Sequence, residues 1–223
     1  MTDLTPIVRD LGTAEYVPVA EAMRTLTRTR SADTPDEIWF VEHPAVYTAG
    51  RDAAQRSGQI GGVPLVPVER GGDITFHAPG QMVVYPLLDL LRRRLFVKPF
   101  VKFLLGTLID TLGVFGIRAF AHDTAPGVYV ALEGGVGQFQ GLAKIASIGI
   151  HVSRGCSFHG IALNVATDLA GFRRIAPCGY TGLRMTDMVS LGAAADLQTV
   201  KDEYRRRLLA ALESALKEKT NND

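Results

Sequence analysis

Three short segments of the chain concentrate the residue types that can do chemistry. The densest is RGGDITFHAPGQ, Arg70 to Gln81. Adjacent glycines let the backbone approach a ligand and aim N–H groups into a concavity, while Arg70 adds charge and His77 a titratable ring. The bland reading is a hairpin turn with a surface arginine and a core histidine. The crowding of Arg, Gly-Gly, Asp, Thr, His, Pro and Gln into one stretch weighs towards a ligand site. The second segment is PCG, Pro177 to Gly179, where Pro and Gly put a thiol on a turn that can face a cleft. An ordinary thiol is only about 3% thiolate at pH 7, so a nucleophilic Cys178 needs a nearby cation or base. Cys156 lies in a strand-like run and reads as a small hydrophobe. The third segment is AKIASIG, Ala143 to Gly149. Lys144 is either a solvated strand-end lysine or a desolvated cation in a cleft, able to serve that thiol. SFHGIALN, Ser157 to Asn164, adds His159, which by itself reads as a satisfied core residue.

The elements that must hold these residues follow from periodicity. Glu15 to about Arg30 has Val19, Met23 and Leu26 at helical spacing, and Lys98 to Leu112 forms a second helix. Strands are expected at Glu37–Glu42, Leu65–Arg70, Asp73–Phe76 and Gln81–Leu90, with short ones in GIRAF and GVYVAL. AKIASIGIHVSRG and SFHGIALNV form a hairpin turning at Arg154-Gly155, its first strand half-buried by the alternation of Ile148, Ile150 and Val152. Val200, Tyr204, Leu208 and Leu212 put one apolar face on a C-terminal helix. Strands follow one another in mid-chain without crossover helices. That order predicts an α+β domain, a mixed sheet flanked by helices, rather than a doubly wound one.

Composition bounds the function. The 223 residues, 47% of them hydrophobic, suffice for one well-buried domain, read here as spanning residues 1–223. With 24 basic and 23 acidic side chains the net charge is +1, so no global field draws nucleic acid or an anionic membrane. Two cysteines cannot frame a disulfide-built fold, no signal-peptide pattern opens the chain, and no apolar run reaches membrane-spanning length. A cytoplasmic protein is expected. The glycine-rich stretch matches neither a Walker loop nor a dinucleotide fingerprint, and no histidine or cysteine spacing fits a zinc site. No heptads or long apolar stripe call for an obligate assembly, so a monomer is expected.

Taken together, HPAVYTAG (His43 to Gly50), RGGDITFHAPGQ, KIASIGIHV, SFHGIALNV and APCG resemble the lipoyl/octanoyl transferase family in order and spacing over roughly Glu42 to Met188. The resemblance implies the biotin/lipoate protein ligase catalytic-domain fold. It implies an acyltransferase, octanoyl-[acyl-carrier-protein]:protein N-octanoyltransferase, that needs no cofactor. The donor would be octanoyl-acyl carrier protein. The acceptors would be lipoyl domains of 2-oxoacid dehydrogenase E2 subunits and the glycine cleavage H protein. Carried over by position, Cys178 is the acyl-thioester nucleophile and Lys144 its acid/base partner. Arg70, Gly71, Gly72, Asp73, Ile74, Thr75, Phe76 and His77 form one substrate-binding stretch, Ser147, Ile148 and Gly149 a second, and His159, Gly160 and Ile161 a third. Where the family usually has HGPGQ this chain has Ala78; the residue before a proline is extended anyway, so the loop should survive with less room.

Three other readings compete. An ATP-dependent lipoate or biotin ligase of the same fold needs no cysteine, and the thiol in PCG argues against it. A thiol hydrolase would use His77 or His159 as base. A non-catalytic module would only grip an acyl carrier.

Overall fold

In a computed structural model the structure describes residues 4–220 apart from 181, and leaves out the side chains of residue 178 and of residues 216–220. The architecture is set by strands that are apolar on both faces. β1 (Ile7–Thr13) and α1 (Tyr16–Thr29) precede β2 (Glu37–Glu42); β3 (Val46–Ala49), β4 (Gly58–Ile60), β5 (Val63–Pro67) and β6 (Ile74–His77) lead to β7 (Gln81–Leu87). Then come α2 (Val97–Val114), β8 (Ala119–Ala121), β9 (Val128–Ala131), β10 (Leu142–Ser153), β11 (Cys156–Asn164), β12 (Arg184–Met185) and α3 (Leu197–Thr220). The larger sheet runs β1-β2-β7-β11-β10-β9-β8, with β12 beside β10; the smaller runs β4-β5-β3-β6. Both mix parallel and antiparallel pairs, as expected of an α+β fold.

In β2 and β7, side chains alternate between two cores. Ile38, Phe40, Met82 and Val84 face α2 and α3, while Trp39, Val41, Val83 and Tyr85 face α1. On α3, Val200, Tyr204, Leu208 and Leu212 are at most 2% exposed, which confirms the stripe read from their spacing. Buried side chains of this size each contribute roughly 1.5–3 kcal/mol. A third cluster joins Tyr47, Phe76 and Phe172 on the small sheet. One buried polar knot ties the layers: the Asp36 carboxylate accepts from Arg30, Arg92 and Arg93 and from the backbone N–H of Asp89. Burial alone would raise its pKa, but these donors hold it below the usual carboxylate range.

The hairpin that carries the second and third binding stretches turns where expected. Ser153 pairs with Cys156, and Arg154 (φ 49) and Gly155 (φ 78) both take the left-handed region, the signature of a two-residue turn whose twist matches the strands. Other boundaries differ. The strand expected at Leu65–Arg70 ends at Pro67, and β1 was not foreseen, because its mainly exposed edge residues carry no period-two signal.

Candidate functional site

The loop between β5 and β6 lies across the middle of β10. Gly71 N–H donates to the Ile150 carbonyl at 3.3 Å. Gly149 makes this approach possible, since a Cβ there would stand 2.9 Å from Arg70 Cδ and 3.2 Å from the Gly71 carbonyl oxygen. Beneath the loop is a cavity with about 490 Å³ of empty space counting its open mouth. Every residue of the three candidate binding stretches borders it except Phe76. Phe76 turns to the other side of β6, 4.9 Å from the Tyr47 ring and 5.5 Å from the Phe172 ring, and is a core residue. Ala78 is buried in that same cluster and is absent from the cavity wall, so the substitution takes no room from it.

Arg70 does not offer its charge freely to a ligand. Its guanidinium donates to the Thr48 carbonyl at 2.6 Å, to Thr48 Oγ1 and to the Gly71 carbonyl, so it pins the loop to β3. The opposite wall consists of Tyr16, Val83, Tyr85 and Ala162, which sequence periodicity marked only as helix or strand positions.

His77 is fully enclosed. Its Nδ1 meets Gln81 Oε1 at 2.7 Å; an amide oxygen only accepts, so Nδ1 carries the proton. Gln81 Nε2 donates to Asn164 Oδ1 at 2.9 Å, and Asn164 Nδ2 donates to the Thr186 carbonyl at 3.0 Å. Thr186 N–H in turn donates to the Lys144 carbonyl. This polar rail runs from the cavity wall to the strand bearing Lys144. Burial, helped by the neighbouring His43, pushes His77 down to about 3, so its ring is neutral. His43 accepts from the Tyr85 hydroxyl at 2.9 Å while its Nδ1–H donates to the Ala14 carbonyl at 2.6 Å.

His159 sits in β11 with φ 59, a conformation rare outside glycine and asparagine. Its ring stacks on that of the preceding Phe158, 4.9 Å between centroids, instead of alternating away from it. Its Nε2 lies 3.6 Å from Glu69 Oε2. His159, and after it Arg24, hold the Glu69 carboxyl far below its ordinary range despite partial desolvation. Burial lowers His159 itself, against the pull of Glu69.

Lys144 is fully buried, which corrects the solvated strand-end alternative. Its ammonium donates to the Pro126 carbonyl at 2.8 Å and lies 5.6 Å from the centre of the Tyr129 ring. Pro177–Gly179 forms a single 3-10 turn, closed by Gly179 N–H to the Ala176 carbonyl. A Cβ on Gly179 would stand 3.3 Å from Oδ2 of Asp73, a residue that borders the cavity. The chain then enters β12, where Met185 pairs with Lys144. The backbone bearing Cys178 thus runs from beside Asp73 of the cavity wall towards the strand of the buried lysine. The Cys178 side chain lies outside the described residues. The other cysteine, Cys156, is buried, and burial with the nearby Asp89 raises its thiol pKa.

Among the described residues no group of three His, Cys, Asp or Glu side chains could hold a metal ion, and no helix is long and apolar enough to cross a membrane. The glycine-rich turn after Leu132 has a packing role: it seats Phe139 against Tyr129 and Tyr180, beside the lysine.

Comparison with known proteins places this geometry in context. Residues 16–209 match the family model of the lipoyl protein ligase A/B catalytic domain. An octanoyltransferase of Polynucleobacter asymbioticus is 47% identical over 215 residues, covering 96% of this chain and 99% of that protein. Among solved structures, a chain from the archaeal lipoylation system of Thermoplasma acidophilum, a bipartite lipoate protein ligase and its E2 lipoyl domain, superposes with a TM-score of 0.68 at 15% identity. That match covers 97% of this chain and 92% of the other. The biotin protein ligase of Aquifex aeolicus gives 0.52 at 12% identity over 96% and 72% of the two chains. At such identities these two structures share the fold alone.

Proposed function

The chain belongs to the octanoyltransferase family, acyltransferases of the lipoyl(octanoyl) type, and on that premise we propose that it moves an octanoyl group from octanoyl-acyl carrier protein to a lysine of a lipoyl domain through a thioester on Cys178. The observation that carries the reading is the placement of Lys144: a buried ammonium on β10, one strand from the turn that bears Cys178, and on the same strand as Ser147–Gly149, which border a mainly apolar cavity. Lipoyl domains as the acceptor class are part of this proposal, supported by the lipoyl protein ligase family model and the octanoyltransferase relative.

A buried ammonium keeps its charge only among compensating dipoles or beside an anion. The Pro126 carbonyl and the face of Tyr129 supply dipoles, and a Cys178 thiolate supplies the anion. That pairing raises the thiolate fraction of Cys178. The thiolate attacks the octanoyl carbonyl, and the tetrahedral oxyanion is stabilised by backbone N–H groups of the Arg70–Gly72 loop or of His77. Collapse expels the carrier thiolate, which takes a proton from Lys144. One thioester replaces another, so the step is near balance and needs no ATP. Lys144, now neutral, accepts a proton from the incoming acceptor ammonium. This help matters because only about one lysine in a few thousand is unprotonated at pH 7. The amine attacks, the Cys178 thiolate leaves, the second proton of the acceptor nitrogen is released to water, and the amide forms downhill with the ion pair restored. The octanoyl chain lies in the cavity against Tyr16, Val83, Tyr85 and Ala162, under the loop held by Arg70.

The test mixes the protein with octanoyl-acyl carrier protein and a lipoyl domain in the absence of ATP, and weighs the domain. Octanoylated domain is expected. A strict ATP requirement would favour the ligase reading that the fold also permits, and free octanoate formed without regard to acceptor would favour a hydrolase.

A further inference from the structure

A second hollow adjoins the turn that carries Cys178 and shares no lining residue with the acyl cavity. It holds about 1400 Å³ of empty space counting its mouth. Its floor is apolar, built from Leu132, Phe172, Ile175, Leu183 and Met185. Ala176 and Pro177, immediately before Cys178, form part of its wall, so it reaches the reaction point. Arg173 and Arg184 stand at its rim and are exposed. Next to it, Arg173 shares a smaller hollow with Arg56 and Arg174, which borders Asp73 and Ile74 at the edge of the acyl cavity.

The charge of this rim is not offset by ion pairs, a state shared, among the described residues, with Arg28, Arg51, Arg118 and Arg154. Arg9, Arg24, Arg30, Arg92, Arg93 and Arg205–Arg207 are each ion-paired. Among the described residues no ion pair engages Arg56, Arg173, Arg174 or Arg184. Arg174 donates to the Gly61 carbonyl and Arg184 to the Glu133 carbonyl, contacts that fix the side chains without neutralising them. Arg184, held by the Glu133 carbonyl, and the exposed Arg173 present guanidiniums at the groove with no carboxylate partner among the described residues, an arrangement suited to a phosphate.

We propose that this groove receives the phosphopantetheine arm of the acyl donor, its amide and methylene body on the apolar floor and its phosphate against Arg173 and Arg184. The proposal rests on the reading that the donor is an acylated carrier protein. It gives each half of the thioester its own compartment: the acyl chain enters the cavity under the Arg70 loop, the arm leaves through the groove, and the turn bearing Cys178 separates them. Charge also selects this occupant over the acceptor lysine, because a cationic side chain entering between the arginines meets like charge.

The experiment compares two small donors, octanoyl-4′-phosphopantetheine and octanoyl-pantetheine, which differ only in the phosphate. Intact mass gives the rate of octanoyl adduct formation on the full chain. The wild-type protein should prefer the phosphorylated donor by about tenfold or more in kcat/KM, the size of one charge-assisted hydrogen bond. In the Arg173→Gln/Arg184→Gln double variant, whose substitutions are at exposed positions, that ratio should fall towards one. Because the readout is a ratio of two donors on one protein, a general loss of structure does not imitate it. Equal use of both donors by the wild type, or an unchanged ratio in the double variant, overturns the groove assignment while the transfer reading stands. A rise in KM confined to the lipoyl domain also overturns it and gives the groove to the acceptor. Failure to form an adduct with either small donor while octanoyl-acyl carrier protein gives one also overturns the groove assignment, whereas failure with all three refutes the transfer reading.

Discussion

Gly127→Ala perturbs the proposed catalytic pair without removing either member. Gly127 has φ 144, and a Cβ there would stand 2.4 Å from Lys144 Cε, 3.0 Å from its Nζ and 2.6 Å from the Ala146 carbonyl oxygen. Carbon atoms at rest are about 3.5 Å apart, so the lysine side chain must retreat by roughly 1 Å. The Ala146 carbonyl belongs to a strand paired on both sides and has little freedom to yield. Overpacking of this kind costs about 1–3 kcal/mol, and the φ value adds about 1 kcal/mol more. For a chain of this size that corresponds to a fall in Tm of about 5–15 °C. The functional cost is larger, since misplacing a catalytic group by 1 Å can cost about a hundredfold in rate. Thermal unfolding reads the first effect, and octanoyl adduct formation on the folded variant reads the second. Iodoacetamide alkylation across pH separates them further: if the amine sustains the thiolate, the apparent thiol pKa rises towards about 8.5 in the variant, which a purely structural effect does not produce. Lys144→Met, which removes the charge without adding a methyl beside it, should give the same alkylation shift. A folded Gly127→Ala protein that acylates at the wild-type rate with an unchanged alkylation profile would refute the role given to Lys144.

Other outcomes follow from single features. Burial keeps His77 neutral down to about 3 and lowers His43 and His159 too, so the unfolded chain binds more protons than the native one below about pH 6.5. Stability therefore falls as pH drops through that point, by up to about 1.4 kcal/mol per pH unit for each such histidine. Urea unfolding should show a lower midpoint at pH 5.5 than at pH 7.5, and an equal or higher one contradicts neutral burial. Tyr204 is fully buried with no hydrogen-bond partner for its hydroxyl among the described residues, so Tyr204→Phe should raise stability by about 1 kcal/mol, measured by chemical denaturation. A clear loss would mean that the hydroxyl is bonded. Cys156→Ala should leave the octanoyl adduct within about twofold of wild type, since burial keeps that thiol protonated; loss of the adduct would put the acyl group on the wrong sulfur.

What was legible in the sequence was what chemistry and period imprint locally. The apolar stripe of α3, the hairpin at Arg154-Gly155 and the strand Glu37–Glu42 follow from spacing and turn chemistry, and each falls within a residue or two of its expected place. The glycine-rich stretch could be read as a ligand loop because two adjacent glycines are costly anywhere else. Phe76 shows the limit of carrying a stretch over whole: on a strand, neighbours face opposite sides, so Ile74 and Phe76 both pack into the small-sheet core, and of the two only Ile74 also borders the cavity. Tyr16 and Tyr85 escaped notice because their role in the cavity wall comes from packing across α1 and β7, 69 residues apart in sequence, where no local pattern forms. The fate of Lys144 was equally non-local. Its burial depends on Pro126 and Gly127 just before β9, on Tyr129 within it, and on the β12 segment, which is too short to carry a strand signal of its own.

The central claim, an octanoyl group held on one named sulfur, is tested most directly by mass spectrometry of the intact protein and of its peptides after exposure to octanoyl-acyl carrier protein alone. The account predicts a mass gain of one octanoyl group, lost on treatment with hydroxylamine, mapped to the peptide containing Cys178 and absent from Cys178→Ser. An unmodified wild-type protein that still octanoylates a lipoyl domain, or a Cys178→Ser variant that transfers at the wild-type rate, would contradict it.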